Sequence, residues 1–177
     1  EIAVIDSYQL SMALGWQVVL AARAAQAGRS VSEIEASLER VIPRVRSVAV
    51  LDSLEHLARG GRLGKAAVLL SSLLNVKPVV QMWGGEASPI GNVRTKRLAL
   101  EHLVDFVVAQ GPFEEVSVPH TNAPDTAQQV AEMLVARMAA FENTLPRERI
   151  LICEAGASIT THLGLGAVGI CGVLAER

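Results

Sequence analysis

LDSLEHLARGGRLGKAAVLLSSLLNVKP, Leu51 to Pro78, is the stretch around which the chain is organised. It opens as an acidic, helix-like run, with Asp52 and Glu55 set among Leu51, Leu54 and Leu57. It breaks at Gly60-Gly61, where paired glycines can take backbone angles closed to other residues. Arg59 and Arg62 flank the break. A strongly apolar helix is predicted from Lys65 to Leu74, and Lys77-Pro78 launches a β-branched run. The two arginines therefore fall on a turn between two helices, where cations can be displayed toward an anion or a partner. GGRLGK is not a phosphate-binding P-loop, which needs a glycine, four residues and then Gly-Lys-Ser/Thr. Arg59 occupies the first glycine's place, Ala66 follows Lys65, and no strand precedes the segment.

Toward the N-terminus, EIAVIDS alternates and ends in Asp-Ser, which predicts a short strand over Glu1 to Ser7 with a loop exit. Residues from about Gln9 to Gln26 are rich in Leu, Val and Ala and predict a helix, capped at its C-terminal end by Gly28. Ser30 and Glu33 have capping-box spacing. Ile34, Leu38, Val41 and Ile42 continue at helical spacing and give that helix one buried face. Val45 to Leu51 is β-branched and predicts a strand.

Toward the C-terminus, Lys77 to Met82 and Glu86 to Val93 predict a hairpin turning at Gly84-Gly85. A helix follows, with Leu100, Leu103, Val104, Val107 and Val108 on one face. Glu114 to Pro119 predicts a strand, Asn122 fits an N-cap, and Asp125 suits the positive end of a helix running to about Phe141. Arg149 to Cys153 predicts another strand, and Gly-rich TTHLGLG leads into a final one. Alternating strands and helices indicate an α/β fold. The hairpin requires a sheet that is not wholly parallel.

The chain of 177 residues can bury a sizeable core in one or two domains. Half of it is hydrophobic and mean hydropathy is +0.34, yet aromatics make up only 3%. The apolar content is thus aliphatic, which fits a filled core in the first instance and an acyl-chain pocket in the second. Net charge is −2, without the basic excess of a nucleic-acid binder. Cys153 and Cys171 lie in apolar surroundings without metal spacing and read as reduced core thiols of a cytoplasmic protein. Leu163 to Ala175 is too short and Gly-rich to span a bilayer. The chain opens without Met inside a predicted strand, so an N-terminal portion is expected to be missing.

Taken together, these motifs resemble the DegV family of bacterial fatty-acid-binding proteins. That family carries an acidic Leu-rich segment, Arg-Gly-Gly-Arg-Leu/Ile-Gly, a small-residue helix and a Leu-Asn-Leu/Ile/Val-Lys-Pro step, in the order seen over Leu51 to Pro78. Ser7, Ser11, Met12 and Gly15 fit its Asp-Ser loop and Ser-Met-x-x-Gly helix start. Ser11 reads as a helix-start residue before a ligand contact. Val93-Arg94-Thr95 matches a step that recurs in the family. His162, Gly164 and Gly166 hold their places in its His-Thr-Gly-Pro-Gly loop, while Leu163 and Leu165 replace the usual Thr and Pro.

The resemblance implies a DegV-like mixed sheet with flanking helices and two α/β domains. Residues 1–57 would close the first domain and 58–177 would form the acyl-chain-binding second. It further implies a carrier that binds a long-chain fatty acid and presents its carboxylate to a separate fatty-acid kinase for phospholipid synthesis. His162 would hydrogen-bond the carboxylate, with Arg62 and Arg94 orienting the head group or meeting the kinase, beside Gly164 and Gly166. A histidine among glycines allows close ligand approach and can donate to a carboxylate. No catalytic residue, cofactor, metal, nucleic acid or stable membrane insertion is expected. Two alternatives stand beside the carrier: a small-molecule enzyme using His120 or His162 as general base, and a ligand-free interaction module. His120, at a strand end, fits a loop histidine bonded to backbone equally well. His56 and His102 read as solvated helix residues.

Overall fold

A computed structural model of the chain describes residues 2–67, 76–140 and 145–176. Its elements are α1 (Ser11–Gln26), α2 (Val31–Val41), β1 (Val45–Val50), α3 (Glu55–Arg59), β2 (Lys77–Trp83) and β3 (Glu86–Val93). They continue with α4 (Lys96–Val108), β4 (Phe113–His120), α5 (Pro124–Ala139), β5 (Ile150–Glu154), α6 (Ala157–Leu163) and β6 (Val168–Leu174). The strands form one six-stranded sheet in the order β3-β2-β1-β6-β4-β5. Every pairing is antiparallel except β4 with β5. That parallel pair is joined through α5, the helical crossover that parallel neighbours require. The expected division at residue 57 runs through this sheet: β1 lies on one side of it, and its neighbours β2 and β6 on the other.

The two faces of β1 define the layers. Val48 and Val50 point into a dense core with Leu100, Leu103, Val104 and Val107 of α4 and Val130, Leu134 and Met138 of α5. This is the apolar face expected of α4 at i, i+3, i+4, i+7 spacing. Val45, Ser47 and Ala49 lie on the opposite face. There α1 packs Ala13 and Trp16 on Val45, Cys171 and Val173, with Val41 at the end of α2. Leu54, Leu57, Val80 and Ala167 form a third cluster, with Leu163 of α6 against it. The Trp16 indole donates to Ser117 Oγ at 3.1 Å, and Arg23 pairs with buried Glu115, so α1 is tied to β4 by polar groups at two levels.

Local signals placed several ends correctly. Ser30 and Glu33 form the reciprocal capping box, and Gly28 takes φ +80 just beyond α1. Other expectations are corrected. Residues 2–7 form no strand: the sheet edges are β3 and β5, so the alternating segment has no partner, and Ile2 and Val4 are exposed. Asn122 is not the N-cap of α5. It takes φ +51, Ala123 is the cap residue, and the Ala123 N–H donates to His120 Nδ1 at 3.2 Å. His102 is half-buried against Gly91, with Nε2 3.2 Å from the Ile90 carbonyl oxygen, and His56 is half-buried against Gly164. Both are helical, as expected, but packing on a glycine withdraws them from solvent. Most of the helix expected over Lys65 to Leu74 lies outside the described residues.

Candidate functional site

The sheet face that carries Ser47 and Ala49 is not filled. A chamber of about 280 Å³ lies over it, walled by Leu57, Val80, Met82 and Ala87 and by Ile159, His162 and Leu163 of α6. Gly61, Arg62, Gly64 and Glu86 also border it, and all four are solvent-exposed residues, so they mark its mouth. A second chamber of about 30 Å³ adjoins it. Leu10, Ser47, Ala49, Ile159 and Leu163 line both. Ser11, His120, Thr121 and Cys171 border only the smaller one.

His162 reaches the large chamber because α3 and α6 approach each other through glycines. A Cβ on Gly60 would lie 2.5 Å from His162 Nδ1, and one on Gly164 would lie 2.6 Å from the His56 ring. At Gly166 a Cβ would collide with Asp52 Oδ2. Residues 52, 56 and 60 thus meet 166, 164 and 162 in antiparallel sequence, and at each step one side is glycine. Among the described residues, buried His162 Nδ1 has no hydrogen-bond partner. A buried polar atom left unpaired is costly and calls for an explanation.

The loop after α6 is fixed independently. Buried Thr121 donates from Oγ1 to the Gly164 carbonyl at 2.7 Å and accepts from the Ala167 N–H at 2.9 Å. Gly166 N–H donates to the Thr121 carbonyl at 2.7 Å. Lys96 Nζ donates to the Gly166 carbonyl at 3.0 Å and lies 3.7 Å from Asp52 Oδ1, which Lys77 Nζ approaches to 2.9 Å. Gly164 and Gly166 have φ of +75 and +84, backbone that an L side chain rarely adopts.

The structure therefore brings some of the expected residues together and separates others. His162 and Arg62 border one chamber. Arg62 is exposed, and its Nη1 donates to the Gly60 carbonyl at 3.1 Å; among the described residues no carboxylate pairs with it. Gly164 and Gly166 shape the loop behind His162 without lining the chamber. Arg94 is exposed at the β3–α4 junction, beside Val93, which pairs with Lys77. It lines neither chamber. Ser11 borders the smaller chamber at the start of α1; Ser7 hydrogen-bonds locally to Gln9, and Gly15 makes room for the Met12 thioether. His120 is buried with Nδ1 committed to the Ala123 N–H.

Sequence reasoning missed Thr121, Lys96, Leu10 and the small residues Ser47 and Ala49. The last two carried a signal: they alternate with Val48 and Val50, so one face of a central strand is small. Burial raises the Cys153 thiol, and raises Cys171, which lies on the sheet beneath α1, to about 11. Among the described residues no group of three or more His, Cys, Asp or Glu side chains could hold a metal ion. No helix among them is long and apolar enough to cross a membrane.

A family model described as "Uncharacterised protein, DegV family" matches residues 1–174. A DegV domain-containing protein of Caldanaerobacter subterraneus subsp. tengcongensis is 34% identical over 173 residues, covering 96% of this chain and 59% of that protein. One from Streptomyces coelicolor is 33% identical over 171 residues, with 96% and 59% covered. The fold matches the crystal structure of a fatty acid binding DegV family protein from Streptococcus agalactiae with a TM-score of 0.83 at 28% identity, covering 98% of this chain and 60% of that one. It matches a fatty-acid-binding DegV family protein from Thermus thermophilus with a TM-score of 0.82 at 27% identity, covering 98% and 61%. The chain spans about three fifths of the length of the relatives it matches.

Proposed function

This chain belongs to the DegV family, and on that premise we propose that it binds a long-chain fatty acid, with the alkyl chain in the large chamber and the carboxylate at its mouth. The observation that carries the proposal is the chamber of about 280 Å³: aliphatic walls, with His162 and Arg62 as its basic side chains. Burying the alkyl chain supplies affinity at about 0.8 kcal/mol per CH₂. The polar mouth then fixes which end faces out. His162, which lines the chamber, is the carboxylate donor in this reading. Gly164 and Gly166 hold the loop that supports it.

The finer role is presentation of the bound carboxylate to a separate fatty-acid kinase, which makes the acyl phosphate used in phospholipid synthesis. The family resemblance supports this step, as does the exposure of Arg62 at the mouth and of Arg94 at the β3–α4 junction. Neither arginine has a carboxylate partner among the described residues. An enzyme using His120 as general base is the weaker reading, because a base needs a free nitrogen within reach of substrate and an orienting partner. His120 spends Nδ1 on holding the start of α5.

Mass spectrometry of an organic extract of the natively purified chain tests the proposal. A fatty acid near one equivalent is the expected result, and its loss in His162→Ala would place the carboxylate. Purified protein without fatty acid, which also fails to take up oleate added in solution, would overturn it. For the kinase step, acyl-phosphate formation per equivalent of bound lipid should fall in Arg62→Ala and Arg94→Ala. Unchanged formation in both would remove the arginines from that step.

A further inference from the structure

The two adjoining chambers differ in volume and in the hydrogen-bonding groups that line them, and the difference bears on acyl-chain length. The large one is aliphatic along Leu57, Val80 and Ala87 and ends on Ala49 and Ser47 of β1. Leu10, Ile159 and Leu163 line both chambers and so form the collar between them. Beyond the collar the lining stays largely apolar, with Val48, Pro119, Ala155 and Val168, but it adds the donors of Ser11 and His120.

His120 is a donor there. Its Nδ1 accepts the Ala123 N–H, so a neutral ring carries its proton on Nε2. No protein acceptor for that proton is present among the described residues. The Ser11 hydroxyl has none either. A volume of about 30 Å³ beside the His120 and Ser11 groups suits roughly one water molecule. An alkyl end entering it would strip those groups of hydration. Each buried methylene improves affinity about fourfold, whereas a buried donor deprived of its partner costs roughly five- to 150-fold.

We infer that the collar of Leu10, Ile159 and Leu163, backed by the small chamber that His120 and Ser11 line, ends the acyl chain and sets the longest fatty acid the protein holds. This rests on the fatty-acid reading above and names the residues that select within that ligand class. The floor of small residues sets the limit from the other side, because a larger side chain at Ala49 would fill the chamber just short of the collar.

The test is competitive displacement of a fluorescent fatty acid by saturated acids from lauric to arachidic, run on the wild type and three variants. Ala49→Leu should move the optimum to shorter acids, with roughly a tenfold fall in affinity for the longest acid relative to one two methylenes shorter. Ile159→Ala alone should leave the optimum in place, since the small chamber with its His120 donor still stops the chain. Ile159→Ala combined with His120→Leu should move it to longer acids. A wild type that binds no fatty acid overturns the underlying reading. A wild type that binds, with Ala49→Leu showing the same length profile, overturns the collar alone. A longer optimum in the single Ile159→Ala variant also overturns the polar stop. Ala49→Leu keeps the test decisive if the double variant fails to fold.

Discussion

The two faces of the sheet are built from the same strands to opposite ends. On one face, Val48 and Val50 of β1 meet Val79, Val116, Val118 and Ile170 under α4 and α5, and the core is continuous and aliphatic. On the other, Ser47 and Ala49 meet Cys171 and Gly169; α1 packs on Val45, Cys171 and Val173, while α3 and α6 stand over a chamber instead of filling it. A central strand alternates its side chains between faces, so β1 carries both programmes in six residues. The lesson is a division of labour: the filled face supplies stability, which the open face draws on to keep polar groups and space next to each other.

The largest expected effect lies on the filled face. Leu103 is fully buried between α4, the sheet and α5. Leu103→Ala should lower the unfolding free energy by about 2–5 kcal/mol, because transfer and cavity terms add. Urea denaturation measures it, and any lipid bound at low urea should remain. The same deletion on the open face at Ile159, which is only partly buried beside existing space, should cost under half as much. Equal losses would break the contrast between the faces.

A second substitution separates binding from stability. Gly60 has a helical φ of −79, so alanine is tolerated by the backbone. Its Cβ, however, would lie 2.5 Å from His162 Nδ1. Gly60→Ala should displace the ring and weaken oleate by roughly tenfold or more, the worth of a hydrogen bond to a charged group at about 1.5–3 kcal/mol. The melting temperature should change little. Wild-type affinity in this variant would show that His162 does not depend on the α3–α6 approach.

How much of this was legible in the sequence follows the same line between faces. The α4 face was readable at five positions, because helical periodicity is local and the residues are all large and apolar. The capping box, the hairpin at Gly84-Gly85 and the mixed sheet were readable for the same reason. Helix α6 was not. ASITTHL is β-branched at three positions and borders glycines, so its propensity is poor and packing on α3 decides its form. Nor was the strand over residues 1–7 foreseeable as wrong, since alternation says nothing of which sheet edge is available. Arg62 and His162 were singled out by motif, but the chamber that both border is an absence of side-chain volume. Volume left over depends on which residues face each other, which spacing does not encode.

Thiol chemistry gives a third, smaller test on the open face. Cys171 is buried beneath α1 and its thiol is raised to about 11; Cys153, half-buried on β5, is raised less. In native protein at pH 8 a thiol reagent should modify Cys153 first and Cys171 only on unfolding. The alkaline branch of stability has a definite sign. The unfolded Cys171 thiol ionises near its ordinary value of 9.0 while the folded one stays neutral to about 11. Stability is therefore full below pH 9 and falls between pH 9 and 11 as the unfolded state loses its proton. Cys171→Ala should flatten that part of the curve. Rapid modification of Cys171 in the native state would mean that α1 does not seal this face.

The smallest effect is expected furthest from both faces, at the exposed start of α2. Glu33 accepts from the Ser30 N–H at 2.8 Å and from its hydroxyl at 2.9 Å, with Arg29 3.0 Å away. The Ser30 backbone contact, then its hydroxyl, then Arg29 lower the Glu33 carboxyl below its usual value. A depressed carboxyl stabilises the fold above its unfolded value, and that contribution disappears as pH falls through the folded one. Glu33→Gln should thus cost a little at neutral pH, and the difference from wild type should close in acid. Ser30→Ala removes the cap hydroxyl itself and should cost about 1 kcal/mol at neutral pH. Because α2 joins the cluster on the sheet through Val41, at the end far from Ser30 and Glu33, neither change should alter fatty-acid affinity. A measurable loss of binding from either would show that the open face is coupled through α2 and α1, and that the division between the faces is less complete than their packing indicates.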